Sequence, residues 1–241
     1  MCIRDRNKNI YFICSLIIVY LISFNSNAHD ASEAWKNAYK STVIVLPTWP
    51  GYNKPGYGAP KGTAPAGTGF YISIGNDKSE TKFIMTAAHV IKNSNIVEIK
   101  NYKNEYDEVE IILVDYKTDI AILKSKKKGK AITLSKKKIE NGNQVCVIGN
   151  SFGLGQSLSC GIVSGKNRRG LGFNQIENFI QTDAAVNPGA SGAPLVNENG
   201  HLEGMVDAIY TKEADIDAGV NFAIDKKLIQ SFLKSKSAQI N

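Results

Sequence analysis

Cysteine is scarce in this sequence. The 241-residue chain has four, and Cys2 and Cys14 fall within its first 28 residues. Cys146 and Cys160 are left, too few for a disulfide framework and wrongly spaced for a zinc site. Histidine is scarcer still, with three residues: His29, His89 and His201. No long membrane-spanning run stands out: the apolar stretch Ile10–Phe24 has fifteen residues, short of the ~20 that a spanning helix needs. Aromatic residues are missing from the lysine-rich stretch Lys124–Lys138 (KSKKKGKAITLSKKK). Stacking on nucleic acid bases therefore has no support. A solvated connector is the expectation there, with a patch for anionic surfaces as the sharper alternative.

What is present begins with a leader. Lys8 precedes Ile10–Phe24, and Ser26-Asn27-Ala28 follows. A basic start, a short apolar core and a small-x-small site have the form of a secretory signal, expected over residues 1–28. An uncleaved anchor is the alternative. Met1–Asp5 (MCIRD) looks foreign to a signal and is set aside. Cutting after Ala28 removes three basic residues and one acidic one, which takes the net charge from +7 to +5. The remainder, residues 29–241, is read as one domain.

With 43% hydrophobic residues and 21 glycines, the chain suits a turn-rich β core. Asp30–Tyr39 is predicted as a short helix, capped by Asp30 with Glu33 as capping-box partner. Beyond it come about a dozen short runs rich in Val, Ile, Phe and Tyr, such as Thr42–Leu46, Gly69–Ile74, Gln144–Gly149 and Leu202–Ile209. That spacing points to a sandwich or barrel. The lysine-rich stretch divides the runs into two groups of about six, over roughly 40–125 and 140–225. A final amphipathic helix is predicted at Asp225–Lys234 within the tail 226–241. Pro47–Ala66 holds five of the seven prolines and no convincing strand; a surface insertion and a mobile flap beside a cleft are both open.

Cys146 and Cys160 flank the Gly-rich turn Gly149–Gln156 (GNSFGLGQ). A hairpin centred on Gly153 sets the two cysteines directly opposite each other. A disulfide in a secreted protein and two buried thiols in a barrel wall are the two readings.

Residues 187–194 read NPGASGAP, two prolines and two glycines around one hydroxyl, Ser191. Such residues also make ordinary turns. His89 lies in MTAAHV after an apolar run, and Asp119 lies thirty residues on, in KTDIAI. A serine hydroxyl is a weak nucleophile at neutral pH. It needs a base for its proton, and the base needs a partner that fixes its tautomer. The N–H groups of Gly189 and Ser191 can supply donors for an oxyanion.

The order His–Asp–Ser is that of chymotrypsin-like enzymes. The segments TAAHV, TDIAIL, IGN-SFGLGQSLSCGIVSG, FIQTDAAVNPGASGAPLVN and GVNFAI closely resemble the Deg/HtrA family of secreted serine proteases, from about Gly67 to Phe232. The resemblance implies an all-β fold of two six-stranded antiparallel barrels with short terminal helices. It implies His89 as general base, Asp119 as its orienter and Ser191 as nucleophile, with an acyl-enzyme and no metal or cofactor. Its expected partners are unfolded or damaged polypeptides in the bacterial periplasm, with no nucleic acid and no membrane unless the leader stays uncleaved. Oligomer formation is left open.

The sequence departs from the family in places. The family usually has Asn before the serine and Gly-Gly after it; here stand Ala190 and Gly192-Ala193. The family often carries a C-terminal PDZ domain, and a protease domain alone is expected here. By the family's geometry the specificity pocket has Ala185 at its base and Ala208 and Ile209 on its wall, which implies cleavage after small apolar residues. Asp183 is expected to be structural. A latent protease-fold binding protein and a narrow processing protease are the competing functions.

Overall fold

The computed structural model describes residues 31–61, 64–74, 79–209 and 219–240. The expected signal segment and Asp30 lie outside the described residues.

A short helix, α1 (Ser32–Ala38), opens the described chain. Its N-cap is Ala31, which offers no capping side chain, and Glu33 accepts a hydrogen bond from Asn37 Nδ2 at 2.9 Å instead of closing a capping box. A 3₁₀ turn then leads into the first sheet. It comprises β1 (Thr42–Thr48), β2 (Gly67–Tyr71), β3 (Glu80–Ala87), β4 (Ile96–Lys100), β5 (Tyr106–Glu108), β6 (Glu110–Asp115) and β7 (Ile120–Lys130). Their order across the sheet is β5-β4-β1-β2-β3-β7-β6.

Seven strands stand where six are expected, and Val109 is the reason. One run, 106–115, pairs with β4 through Tyr106–Glu108 and with β7 through Glu110–Asp115. Val109 joins the two halves, buried and bonded through its N–H to Val97 O at 2.9 Å. A single continuous run thus lies at both edges of the sheet, which must curl for that to happen.

The lysine-rich stretch is not merely a connector. β7 continues into it as far as Lys130, with Thr81 opposite Gly129 and Glu80 opposite Lys130. Charge along a strand does not interrupt its backbone ladder when alternate side chains reach water. Ser125 turns inward, and its hydroxyl donates to Asp107 Oδ2 at 2.5 Å.

β8 (Gln144–Gly149), β9 (Ser157–Arg168), β10 (Phe179–Thr182), β11 (Pro194–Asn197), β12 (Leu202–Ile209) and β13 (Asn221–Asp225) close into a barrel, in the order β10-β13-β12-β11-β8-β9. The short strands β8 and β11 are buried along nearly their whole length, whereas the long β9 is exposed or half-exposed over most of its residues. Val145, Val147, Leu195, Val206 and Ala223 fill one cluster. Their neighbours Cys146, Ile148, Val196, Phe222 and Ile224 join a second, which includes Phe70, Ile84 and Ile122 of the first sheet. Cys146 faces Cys160 across the β8–β9 ladder, and their sulfurs are bonded at 2.12 Å.

The helix α2 (Lys226–Ile240) follows β13 without a gap and runs further than the apolar pattern indicates. Asp225 Oδ1 accepts from Lys227 N–H at 2.7 Å at its start. Lys226 is buried against Glu203 at 2.6 Å and donates to Lys137 O. Beyond this pair, Ile229 and Phe232 pack into the core, and the helix touches β6 of the first sheet. At the other end of the chain, α1 touches β8 and β11 of the barrel, and Asn37 Nδ2 donates to Asn199 O in the β11–β12 turn at 3.1 Å. The proline-rich loop after β1 forms turns rather than strands. Trp49 pins its base, buried and donating Nε1–H to Lys92 O at 3.0 Å.

Candidate active site

His89 lies in a 3₁₀ turn, Ala88–Ile91, directly after β3. Asp119 lies directly before β7, which pairs with β3. The ladder therefore delivers both residues to the same end of the sheet. Asp119 has φ 57°, the left-handed conformation that Asp tolerates better than most residues. Its carbonyl accepts from Ala88 N–H at 3.1 Å, while its carboxylate turns to His89. One oxygen accepts from the His89 backbone N–H at 2.8 Å, and the other lies 2.6 Å from Nδ1. Asp119 is buried, and the His89 side chain is 44% exposed. An imidazole held in this way carries its proton on Nδ1 and leaves Nε2 as an acceptor toward the open side. Desolvation pulls the His89 pKa down, but the hydrogen bond to Asp119 and the Asp119 charge outweigh it, so the net shift is upward.

Ser191 sits in the turn before β11, and this turn is held from three directions. Thr68 on β2 donates its N–H to Ser191 O at 2.9 Å and its hydroxyl to Gly189 O at 2.7 Å. On β12, Val206 O accepts from Gly192 N–H, and Val206 N–H donates to Ala193 O, each at 2.8 Å. In the β8–β9 turn, Phe152 N–H donates to Pro188 O at 2.7 Å. Gly192 has φ 81°, and a Cβ there would lie 2.2 Å from Thr68 O and 2.5 Å from Thr86 Oγ1. Gly189 has φ 99°, and its Cβ would lie 2.3 Å from Asn150 O. The small residues around the serine are thus required by the backbone that surrounds it. Among the described residues, the N–H groups of Gly189 and Ser191 donate no hydrogen bond within the protein, and Ser191 Oγ makes none to His89.

Two residues at this site escape a reading of the sequence. One is Thr68, which looks like any strand threonine. The other is Asp207, buried beside His89 and Asp119. One ligand-type atom from each of the three lies within 4.8 Å of the others. Asp207 is the extra residue of a bulge in β12, since Val206 pairs with Ala223 and Ala208 already pairs with Phe222. Bulges re-aim side chains in this way. The one available signal was a charged residue inside the run MVDAIY. The close contact between Nδ1 and Oδ2 is a hydrogen bond rather than a shared cation. Atoms 2.6 Å apart are closer than two ligands about 2.0–2.2 Å from one tetrahedral ion can be.

Ala185 is exposed in the stretch between β10 and the serine turn, and Asp183 accepts from Ile162 N–H at 2.6 Å, bracing β9. β12 carries Ala208 and Ile209 opposite Phe222 and Asn221, but their side chains lie outside the described residues.

The chain is 38% identical over 159 residues to a protein of Buchnera aphidicola subsp. Baizongia pistaciae named "Probable periplasmic serine endoprotease DegP-like", covering 64% of this chain and 33% of that protein. It is 35% identical over 152 residues to the periplasmic serine endoprotease DegP of Salmonella typhimurium, covering 62% and 32%. Among solved structures, an HtrA-type protease, AlgW with tripeptide, superposes with a TM-score of 0.75 at 30% identity, covering 86% of this chain and 64% of that one. The chain spans about a third of the length of the curated relatives it matches. Residues 67–205, from the strand that carries Thr68 through the serine turn to β12, match the trypsin-like peptidase domain, and the chain belongs to that family, with its similarity running to the Deg/HtrA members.

Proposed function

We propose that this chain is a serine endopeptidase of the periplasm that cuts unfolded or damaged polypeptides. The observation that carries the reading is the two-point bond between Asp119 and His89, beside a serine turn clamped to β2 and β12. In this reading, His89 Nε2 takes the proton from Ser191 Oγ as the oxygen attacks a peptide carbonyl. Asp119 holds Nδ1–H and stabilises the imidazolium that forms. The N–H groups of Gly189 and Ser191 receive the developing oxyanion. His89 then returns the proton to the departing amine, which leaves an acyl group on Ser191. Water, activated by the same histidine, releases the acyl group.

In this proposal Ala185 forms the base of a small apolar pocket, with Ala208 and Ile209 of β12 along its wall. The edge of β12 pairs with the substrate backbone as an added strand. The names of the relatives support periplasmic residence and protein substrates. A second reading, a latent scaffold that binds polypeptides, has one observation in its favour, the missing Ser191–His89 hydrogen bond. Catalytic hydrogen bonds are often long before substrate arrives.

A fluorophosphonate probe separates the two, because only an activated serine labels. The wild-type chain is expected to label and to digest casein, and Ser191→Ala to do neither. Absence of labelling in folded wild-type protein would favour the latent scaffold.

A further inference from the structure

Asp207 is a buried carboxyl group that the triad chemistry does not use. No lysine or arginine forms an ion pair with it among the described residues. The groups facing it are Asp119 and His89 on the first-sheet side, and Asn174 from the segment between β9 and β10. Asn174 Nδ2 donates to Asp207 Oδ2 at 2.5 Å, so that oxygen is already an acceptor. Glu177, the other acid of that segment, is occupied with the backbone N–H groups of Leu171, Phe173 and Asn174. Two negative carboxylates cannot share a buried corner cheaply, and one of such a pair keeps a proton.

We infer that Asp207 is a positioning residue: as an uncharged carboxylic acid, it donates its proton in a hydrogen bond to the Asp119 carboxylate while accepting one from Asn174. The inference rests on the protease reading and adds to it a regulator of the Asp119–His89 pair. Asp119 already accepts twice from His89. A third donor, from the β12 side, fixes the plane of its carboxylate against the imidazole. Burial, first, and the Asp119 charge push the Asp207 carboxyl well above the usual carboxylate range, against the opposing pull of His89 and Asn174. No covalent step is involved: the proton stays on Asp207 through the catalytic cycle. When alkali removes it, the donor becomes a second anion. Asp119 is then repelled rather than held, and the imidazolium is held more tightly than catalysis needs. Activity therefore carries an alkaline limb set by Asp207.

The direct test needs no activity. Carboxyl carbons of ¹³C-labelled aspartate are followed by NMR against pH in the wild-type chain and in Asp207→Asn, whose missing resonance assigns residue 207. The expected result is a carboxyl that stays protonated at neutral pH. Titration near the ordinary ~3.9 would overturn the inference.

The kinetic test uses two variants checked for folding by circular dichroism. Asp207→Leu removes the donor and is expected to lower kcat about tenfold with little change in KM. Asp207→Asn keeps a donor and is expected to stay within about threefold of wild type near neutrality while losing the alkaline limb. A folded Asn variant as impaired as the Leu variant, or one that keeps the limb, overturns the positioning role. Fluorophosphonate labelling of the wild type reports separately on the protease reading. A chain that never labels but holds the Asp207 proton overturns the protease reading and leaves the shared proton standing.

Discussion

The Thr68 hydroxyl donates to the Gly189 carbonyl at 2.7 Å. The same oxygen accepts from Asn150 N–H at 3.0 Å, so one buried side chain ties β2 to the serine turn and to the end of β8. Thr68→Val keeps the shape and removes both bonds. A buried N–H and a buried carbonyl then lack partners, which costs about 1–3 kcal/mol each. The expected outcome is a lower urea midpoint and slower fluorophosphonate labelling, with Thr68→Ser close to wild type. Labelling of Thr68→Val at the wild-type rate would show that the turn is held well enough without this clamp.

Gly192→Ala is expected to be more damaging than any other single methyl group in the serine turn. The added Cβ meets backbone atoms, Thr68 O at 2.2 Å and Ala87 N at 2.8 Å, and neither can swing aside. Its positive φ adds strain independently. The strand that carries Thr68 and the turn that carries Ser191 must separate. Loss of soluble protein, or folded protein with labelling reduced at least about a hundredfold, is expected. Wild-type reactivity in folded Gly192→Ala would mean that the turn is looser than its contacts indicate.

The rate should rise with pH through a midpoint above the ordinary ~6.5 of histidine, because the His89 pKa is raised and only the neutral ring can accept a proton. Stability linked to the same group runs the other way. A raised folded-state pKa adds stability that is fully present below the unfolded value and is lost as pH rises through the folded one. The stability gap between wild type and His89→Ala should therefore be widest below about pH 6.5 and narrow above the raised midpoint. Activity against pH and denaturant melts at several pH values check the two trends. A rate midpoint at or below 6.5 contradicts the first.

Lys226 and Glu203 form a buried ion pair, with side chains 7% and 3% exposed. Asn197 Nδ2 bonds the second Glu203 oxygen at 3.0 Å. Removing one partner leaves a buried charge alone, so Glu203→Ala should cost about 3–5 kcal/mol. The exposed pair of Lys137 and Glu198, 3.7 Å apart, is the control, and Glu198→Ala should cost about 0–1 kcal/mol. Urea unfolding of both variants gives the comparison. Similar losses in the two would mean that water reaches Lys226.

The alternation of apolar runs made the strands legible, and three short motifs marked His89, Asp119 and Ser191. Other features were hidden. Val109 splits one run between two edges of a sheet, which depends on curl and not on any local preference. Charged side chains concealed the second half of β7, because pattern reading follows side chains while the ladder follows the backbone. Asp207 was hidden by its bulge: a strict two-residue period assigns a face to each residue of β12, and one inserted residue breaks that assignment. Glu203 and Lys226 were invisible as a pair because twenty-three positions separate them and only the pairing of β12 with β13, with Gly204 opposite Asp225, joins them.

The helices at the two ends of the described chain lie crosswise. α1 leads into the first sheet yet rests on β8 and β11, and α2 leaves the barrel yet reaches β6. Each half of the molecule is therefore buckled by the strap of the other. Melting of either half would have to undo a strap that the other half still holds, so the two halves should lose their structure together, and proteolytic nicking at either end should loosen the distant half as well as the near one.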